Sequence, residues 1–210
     1  LSAVKNAKVD VVELGFRSLP QSTFMGPFAY TTDDYIDQLD LPEGPLYGVM
    51  INGIDFINNL GSDRSAIEKL FNQKQNSKIS LIRIAINFDQ VTDTEDIANK
   101  LKDMGYLIAL NMMLAHGKSE KNYIETAKTI AAWEVYDVLY FADSLGNMYP
   151  EDIKKICKSL KKGWAGALGI HTHNNKNLAL INSMTALENG VSWCDGTVTG
   201  MGRGAGNVPT

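Results

Sequence analysis

The sequence is poor in cysteine, in long apolar runs and in excess positive charge, and each shortage excludes a class of protein. Its 210 residues include two cysteines, Cys157 and Cys194, too few and too far apart for a disulfide framework. We therefore expect a reduced, cytoplasmic protein. No apolar run reaches the roughly 18 residues of a membrane span, and we expect no membrane partner. The formal net charge of −4 argues against a nucleic-acid partner, because phosphate contacts require clustered Lys and Arg.

Short apolar or β-branched runs alternate with helical patterns along almost the whole chain. The runs are bounded by Gly, Asn or Asp, which is typical of buried parallel strands. Strands are predicted at 9–16, 46–52, 79–87, 106–113, 138–145, 168–174 and 194–200. Helix ends are predicted from a capping-box pattern at 92–95 with a stop near Gly105, from Pro150 in the first turn of a helix reaching Gly163, and from Asn177 as the cap of a helix ending at Gly190.

This alternation predicts a parallel α/β fold, for which two architectures remain open. An open doubly wound sheet and a (β/α)8 TIM barrel both fit, and seven regular units favour the barrel because they are close to eight. We predict a single TIM-barrel catalytic domain over 1–210. The segment 17–45 interrupts the alternation of strands and helices, since it carries four prolines and only a short helical candidate at 33–39. A segment of this length after a strand is typical of a binding loop or lid, with a surface insertion as the alternative.

Two of the three histidines lie in one three-residue stretch near the end of a predicted strand. Side chains at i and i+2 of a strand share a face, so His171 and His173 project together. Gly169 precedes them on that face, and we expect it to leave room beneath the imidazoles. Two neutral imidazoles at the carboxyl end of a strand suit a divalent transition ion. The alternatives are two hydrogen-bonded core histidines or a general-base pair without metal.

Asp143 and Ser144 end another predicted strand, where a helix follows. The N-terminus of that helix favours an anionic group, so Ser144 could donate to a substrate carboxylate. The alternative is that both side chains satisfy backbone donors at the helix start. The third histidine, His116, could approach from a loop, but Gly117 and the polar run after it favour a solvated turn.

The last candidate segment is rich in glycine and runs from Gly200 to Asn207. It loosely matches a dinucleotide-binding fingerprint, but it follows the last predicted strand and no acidic residue can lie about 20 residues on. We expect instead a backbone that passes close to a ligand or metal, with Asn207 brought back towards the strand ends. A mobile glycine loop without a ligand is the alternative.

These motifs, in this order, resemble the DRE-TIM metallolyases, also called HMG-CoA-lyase-like barrels. Residues 171–175 are similar to the family's metal-binding histidine pair, and 200–207 to its Gly-x-Gly-x-x-x-Gly-Asn signature. Residues 13–16 resemble its second-strand motif, and Arg83 and 143–146 fit other family positions. Within the family, Asp143-Ser144 together with 202–207 is most similar to the 4-hydroxy-2-oxovalerate aldolases.

The resemblance implies a divalent ion, Mn²⁺ or Mg²⁺, bound by His171, His173 and an aspartate; we include Asn207 as a candidate ligand. As a Lewis acid the ion would stabilise the pyruvate enolate formed when a carbon–carbon bond of a 4-hydroxy-2-oxo acid breaks. The resemblance assigns the substrate carboxylate to Ser144. We accordingly expect catalytic roles for Ser144 and Asp143, and substrate-binding roles for Ser144, Arg83 and Asn111.

The sequence departs from the family in one motif. The family's first strand ends in Arg-Asp-Gly, and no arginine in this sequence is followed by aspartate. We therefore expect strands two to eight of a barrel lacking its first strand, as part of a longer protein. The predicted function is a metal-dependent aldolase; an acetyl-CoA-dependent acyl transferase of the isopropylmalate or homocitrate synthase type and a non-catalytic binding barrel are alternatives. The expected partners are a 2-oxo acid substrate, further copies of the chain and an aldehyde dehydrogenase.

Overall fold

A computed structural model describes residues 1–60 and 65–209, which form seven β-strands and nine α-helices. The strands are β1 (Val11–Phe16), β2 (Leu46–Asn52), β3 (Leu81–Asn87), β4 (Leu107–Met113), β5 (Val138–Asp143), β6 (Ala167–Thr172) and β7 (Trp193–Cys194). The helices are α1 (Ser2–Asn6), α2 (Pro27–Tyr30), α3 (Asp33–Asp37), α4 (Gly53–Leu60), α5 (Ser65–Leu70), α6 (Glu95–Asp103), α7 (Glu120–Ala132), α8 (Pro150–Leu160) and α9 (Ala179–Glu188). None of these helices is both long enough and apolar enough to cross a membrane.

The strands follow one another in the sheet in chain order, from β1 to β7. The pairs β1–β2, β2–β3, β5–β6 and β6–β7 are all parallel. A doubly wound sheet reverses its strand order at a switch point, whereas a (β/α)8 barrel keeps the order of the chain. The sequential order therefore selects the barrel from the two predicted architectures, with seven of its eight strands in the part of the chain that the structure describes.

The chain divides into two compact units. The first comprises Leu1–Ala85 and Asp93–Ala109, and it contains β1 and β2. The second comprises Ile86–Thr92 and Leu110–Thr210, and it contains β5, β6, β7 and the helices α7, α8 and α9. The boundary falls within β3 and β4, so the histidine motif and the glycine-rich segment belong to the second unit.

The core of the second unit is formed by buried strand residues and by the apolar faces of its helices. Every residue of β5 is buried, as expected for a parallel strand covered on both faces. Helix α8 begins at Pro150 and buries Ile153, Ile156, Cys157 and Leu160, which recur at the spacing of one helix face. Each large apolar side chain buried in this way contributes about 1.5–3 kcal/mol to folding.

The burial of Cys157 has a chemical consequence. Its side chain is completely buried, and burial raises the pKa of its thiol to about 11. Because the thiolate is the reactive form, we expect iodoacetamide at mildly alkaline pH to leave Cys157 unmodified until the protein is denatured. Mass spectrometry of peptides would measure this, with the exposed Cys194 as the internal control. Equal labelling of both cysteines in the folded protein would contradict the placement of α8.

The segment 17–45 is anchored by a buried arginine. Arg17 is 1% exposed, donates to both carboxylate oxygens of Asp33 at 3.0 and 3.2 Å, and also donates to the carbonyl oxygens of Thr31 and Leu70. Asp33 begins α3, as the helical candidate at 33–39 predicted. The segment also lines a cavity of about 470 Å³. The binding role of this segment stays a prediction.

The predicted strand over 194–200 is wrong beyond its first residue. Strand β7 ends at Cys194, and Val198–Gly200 forms a 3-10 helix. Thr199 and Gly200 have φ values of 59° and 73°, in the left-handed region that an extended strand excludes. The chain therefore turns at this point instead of continuing along β6.

Two predicted helix caps are also wrong. The capping box predicted over 92–95 does not form: a 3-10 helix over Phe88–Thr94 leads directly into α6, whose N-cap is Thr94 and makes no side-chain cap hydrogen bond. Asn177 has a φ of 58° and does not cap α9; Asn174 Oδ1 instead accepts from the backbone N–H of Ala179 at 3.1 Å. Helix ends at Asp103, Leu160 and Glu188 lie close to the predicted glycines.

Candidate active site

The two histidines lie where β6 ends. The ring centroids of His171 and His173 are 5.2 Å apart and nearly perpendicular. Thr172 between them faces the other way, since it is buried and its hydroxyl hydrogen-bonds that of Ser183 at 3.1 Å. The period of two that predicted a shared face for the imidazoles is therefore present in the structure.

The space beneath the imidazoles is not empty, contrary to the expectation for Gly169. The ring of Tyr140 on β5 lies against this glycine, and a Cβ added there would come within 2.6 Å of three ring atoms. Tyr140 is itself buried and packs edge-on against Trp193, with ring centroids 6.4 Å apart. Gly169 therefore admits an aromatic ring beneath the histidine pair, and it provides no open cavity.

We expect Gly169→Ala to destabilise the protein by about 1–3 kcal/mol, because the new methyl group has to displace a packed ring. Urea unfolding followed by circular dichroism would measure the change. A second variant combining Gly169→Ala with Tyr140→Leu should recover part of the loss, since leucine lacks the ring atoms that the methyl group meets. A Gly169→Ala protein as stable as the wild type would show that Tyr140 moves away without cost.

The glycine-rich segment returns to β6, as expected. His173 and Asn207 form an isolated antiparallel bridge, and the backbone N–H of Asn174 donates to the carbonyl oxygen of Gly206 at 2.9 Å. Asn207 Nδ2 donates to the carbonyl oxygen of Met201 at 3.1 Å. Its Oδ1 is buried and has no hydrogen-bond partner among the described residues. A buried amide oxygen without a partner costs free energy, which a bound ligand would recover.

The electrostatics of His173 favour its neutral form. Burial lowers the pKa of its imidazole, and the nearby His171 and Arg203 lower it further. A neutral imidazole is the form that binds a metal ion. The surroundings of His173 therefore favour a neutral imidazole that can bind a cation over a protonated imidazole that cannot.

The candidate ligand atoms suit a divalent transition ion, but the protein supplies only part of the coordination shell. Two imidazoles and an unpartnered amide oxygen are ligands that such an ion accepts, with water or substrate completing the shell. Among residues 1–60 and 65–209, no group of three or more His, Cys, Asp or Glu side chains is arranged to hold a metal. The fit consequently depends on Asn207 as well as on the histidine pair.

Sequence reasoning missed a carboxylate that contacts the site. Asp195, directly after β7, lies with its Oδ2 2.8 Å from Nδ1 of His171. The two residues are 24 positions apart in the sequence, and no spacing rule connects them. The only available signal is the pairing of β6 with β7, which a single sequence does not reveal.

Asp143 and Ser144 both accept hydrogen bonds from backbone donors. Asp143 is 1% exposed and accepts from the N–H groups of Asn147 and Met148 at 3.0 and 3.1 Å. Burial raises the pKa of its carboxyl group, and these two hydrogen bonds lower it in part. Ser144 Oγ accepts from the N–H of Leu114 at 2.9 Å, which leaves its own proton free to donate. Their catalytic roles stay predictions.

Helix α8 begins only at Pro150, so the N–H groups near Asp143 belong to a turn that precedes the helix. The predicted contribution of a helix N-terminus next to Ser144 is therefore wrong. His116 joins this turn from the loop after β4. Its Nδ1 lies 3.1 Å from Asn147 Oδ1, and its Nε2 lies 3.5 Å from Asp152 Oδ2.

The predicted substrate-binding residues Arg83 and Asn111 have different surroundings. Arg83, in the first unit, donates to both carboxylate oxygens of Glu13 at 2.7 and 2.9 Å and is 7% exposed. Asn111 on β4, in the second unit, is buried, and its Oδ1 has no hydrogen-bond partner within the described ranges. Arg83 is thus held by Glu13 of the motif at 13–16. Asn111 has an amide oxygen that can accept a hydrogen bond from a ligand.

The fold and these motifs define a class of protein. Residues 71–210 match the HMGL-like family model, and the chain belongs to the HMGL-like family. Its structure resembles that of HMG-CoA lyase from Bacillus subtilis, with a TM-score of 0.72 at 15% identity over 98% of this chain and 72% of the other, which confirms the TIM-barrel fold.

More particular similarity is to aldolases. The chain is 29% identical over 213 residues to the 4-hydroxy-2-oxovalerate aldolase of Pelotomaculum thermopropionicum, covering all of this chain and 59% of the relative. It is 36% identical over 132 residues to the enzyme of that name from Thermus thermophilus, covering 62% of this chain and 38% of the relative. A solved N-terminal domain of a Bacteroides vulgatus protein assigned as an aldolase matches with a TM-score of 0.83 at 27% identity, covering 100% of this chain and 70% of that one.

These matches confirm the predicted family, and the curated relatives carry the name of the aldolases that the motifs resemble. They also show that the chain spans less than two thirds of the length of the curated relatives.

Proposed function

We propose that this protein is a metal-dependent aldolase that cleaves, or in reverse forms, a carbon–carbon bond of a 4-hydroxy-2-oxo acid through a pyruvate enolate. One observation carries the proposal: His171 and His173 share a face, and the backbone of His173 pairs with that of Asn207, whose buried Oδ1 has no hydrogen-bond partner among the described residues. The aldolase names of the curated relatives support the reaction class.

In this proposal His171, His173 and Asn207 hold a divalent ion, Mn²⁺ or Mg²⁺. Bound there, the ion supplies Lewis-acid stabilisation of the negative charge on the enolate oxygen. The chain's own contribution is to keep His173 neutral through burial and to offer one amide oxygen that has no competing donor in the described structure. Both features lower the cost of binding a cation at this point.

The substrate carboxylate binds next to the turn that follows β5. Ser144 donates its hydroxyl proton to the carboxylate, while its oxygen is held by the N–H of Leu114. Asp143 holds the same turn through Asn147 and Met148. Burial raises the pKa of its carboxyl group, and this burial next to Ser144 is the basis of its proposed catalytic role. Asn111 is proposed to contact the remainder of the substrate, and a substrate-binding role for Arg83 stays a prediction.

The expected partners and location follow from the same proposal. A small 2-oxo acid is the expected substrate. Association into homo-oligomers, an aldehyde dehydrogenase partner and a cytoplasmic location are predictions that rest on the family resemblance and on composition. Because the chain spans less than two thirds of the length of the curated relatives, the activity, substrate and partners of the whole protein are proposals.

The proposal is tested by product analysis of the protein expressed from its whole gene and loaded with Mn²⁺. With 4-hydroxy-2-oxovalerate, we expect release of pyruvate, measured by coupling to lactate dehydrogenase and NADH. Removal of the metal by chelation should abolish the release, and added Mn²⁺ should restore it. Thiol release from acetyl-CoA in the presence of a 2-oxo acid, without pyruvate release, would favour the acyl transferase. Metal uptake with neither activity would favour a non-catalytic binding barrel.

A further inference from the structure

The pairing of β6 with β7 places one carboxylate beside the histidine motif. Gly169 is opposite Trp193 and Ile170 is opposite Cys194 in this parallel pair of strands. The next residue in each strand direction is His171 on one side and Asp195 on the other, so the two lie side by side. The backbone N–H of Asp195 donates to the carbonyl oxygen of Ile170 at 3.2 Å and fixes this position. The location of Asp195 is consequently set by hydrogen bonds of the sheet.

The side chains of this pair make a short, partly buried hydrogen bond. Asp195 Oδ2 lies 2.8 Å from His171 Nδ1, and the two side chains are 18% and 19% exposed. A carboxylate only accepts hydrogen bonds, so the nitrogen that faces it must carry the proton. In a neutral imidazole this places the lone pair on Nε2, the only other nitrogen of the ring.

We propose that Asp195 is a positioning residue of the candidate metal centre, holding His171 as the Nδ1–H tautomer so that Nε2 is the ligand atom. The assignment rests on the proposed function, since it gives a role to Asp195 through a metal ligand. Carboxylates that accept from the outer nitrogen of a ligating histidine orient the ring and increase its basicity. Asp195 thus adds negative charge beside the site without occupying a ligand position.

The tautomer is the first test, and it needs no metal. In ¹⁵N-labelled, metal-free protein, long-range ¹H–¹⁵N correlation spectra should show the proton of His171 on Nδ1. In Asp195→Ala and in the similarly sized Asp195→Asn, we expect the Nε2–H form to become populated, because the charged acceptor is gone. An unchanged tautomer in both folded variants would overturn the proposal. His173, whose nitrogens are observed in the same spectra, serves as the internal reference.

Metal affinity is the second test. Titration of the protein with Mn²⁺ in a calorimeter should show affinity about 10- to 100-fold weaker in Asp195→Ala than in the wild type. Asp195→Glu should restore part of the loss, because a longer carboxylate can still accept from Nδ1. A structural tether between β6 and β7 alone would predict lowered stability in Asp195→Ala without any change in Mn²⁺ affinity.

The matched control is Asp89→Asn, which removes an exposed carboxylate that pairs with Lys118 in the same unit. It changes the net charge as Asp195→Asn does and should leave Mn²⁺ affinity unchanged. Normal uptake by the wild type with the same affinity in Asp195→Ala would overturn the role of Asp195 alone. A wild-type protein that binds no Mn²⁺ would overturn the proposed function together with this assignment, so the two failures are distinguishable.

Discussion

Replacing His171 with alanine is expected to remove the protein's capacity to retain a divalent metal ion. The change deletes one of two imidazoles on the shared face, and Asn207 and His173 alone offer too few protein ligands for an ion of this type. The loss should exceed the about 10- to 100-fold weakening that is typical when only an outer partner of a ligand is removed. Elemental analysis after dialysis against Mn²⁺ would measure the retained metal per chain.

His116→Ala is the matched control for this experiment. It removes the third histidine, which contacts Asn147 in the turn after β5 and Asp152 in the first turn of α8 and is not proposed as a ligand. This variant should retain metal at the wild-type level. Circular dichroism of both variants would establish that each is folded. Unchanged metal content in folded His171→Ala protein would eliminate the site proposed here.

Arg17→Met is expected to cause the largest loss of stability in the first unit. Its guanidinium group is nearly inaccessible to water, donates to Asp33, Thr31 and Leu70, and lies 4.8 Å above the ring of Phe71. Methionine retains much of the volume but leaves the buried carboxylate without its cation. Removing one partner of a buried ion pair costs about 3–5 kcal/mol, a large share of the about 5–15 kcal/mol that stabilises a typical domain.

Urea unfolding monitored by circular dichroism would measure this loss, and two further variants make the result specific. Combining Arg17→Met with Asp33→Leu should be less damaging than the sum of the single changes, because no unpaired charge is then buried. Lys78→Met breaks the exposed pair with Asp37 and should cost no more than about 1 kcal/mol. Equal effects of Arg17→Met and Lys78→Met would show that burial of the first pair has no energetic consequence.

The sequence was sufficient to predict most of the strands and the order of the candidate motifs. Strand β2 is observed at the predicted bounds, Leu46–Asn52, because a short apolar run bounded by turn residues is typical of a buried strand. The shared face of His171 and His173 was equally predictable, since the alternation of side chains along a strand is a local property of the backbone. The family could likewise be recognised from motifs that are each contiguous in the chain.

The predictions were less accurate at the ends of strands and helices, where local backbone conformation decides the boundary. The prediction of a long last strand failed because Thr199 and Gly200 adopt left-handed conformations, for which the apolar pattern gives no signal. The choice of Asn177 as a cap failed for a similar reason, since the neighbouring Asn174 has the same side chain and better geometry. Residue type limits backbone conformation in these segments without selecting one.

What the sequence determined by itself was thus the alternation of strands and helices, the motif residues and their chemistry. The tertiary structure decided which distant groups meet: the strand order that selects a barrel, the contact of Asp195 with His171, the ring of Tyr140 beneath Gly169, and the pairing of Arg17 with Asp33. The physical reason is the same in each case. Local patterns depend on the period of the backbone, whereas these contacts depend on strand register and packing between segments far apart in the chain.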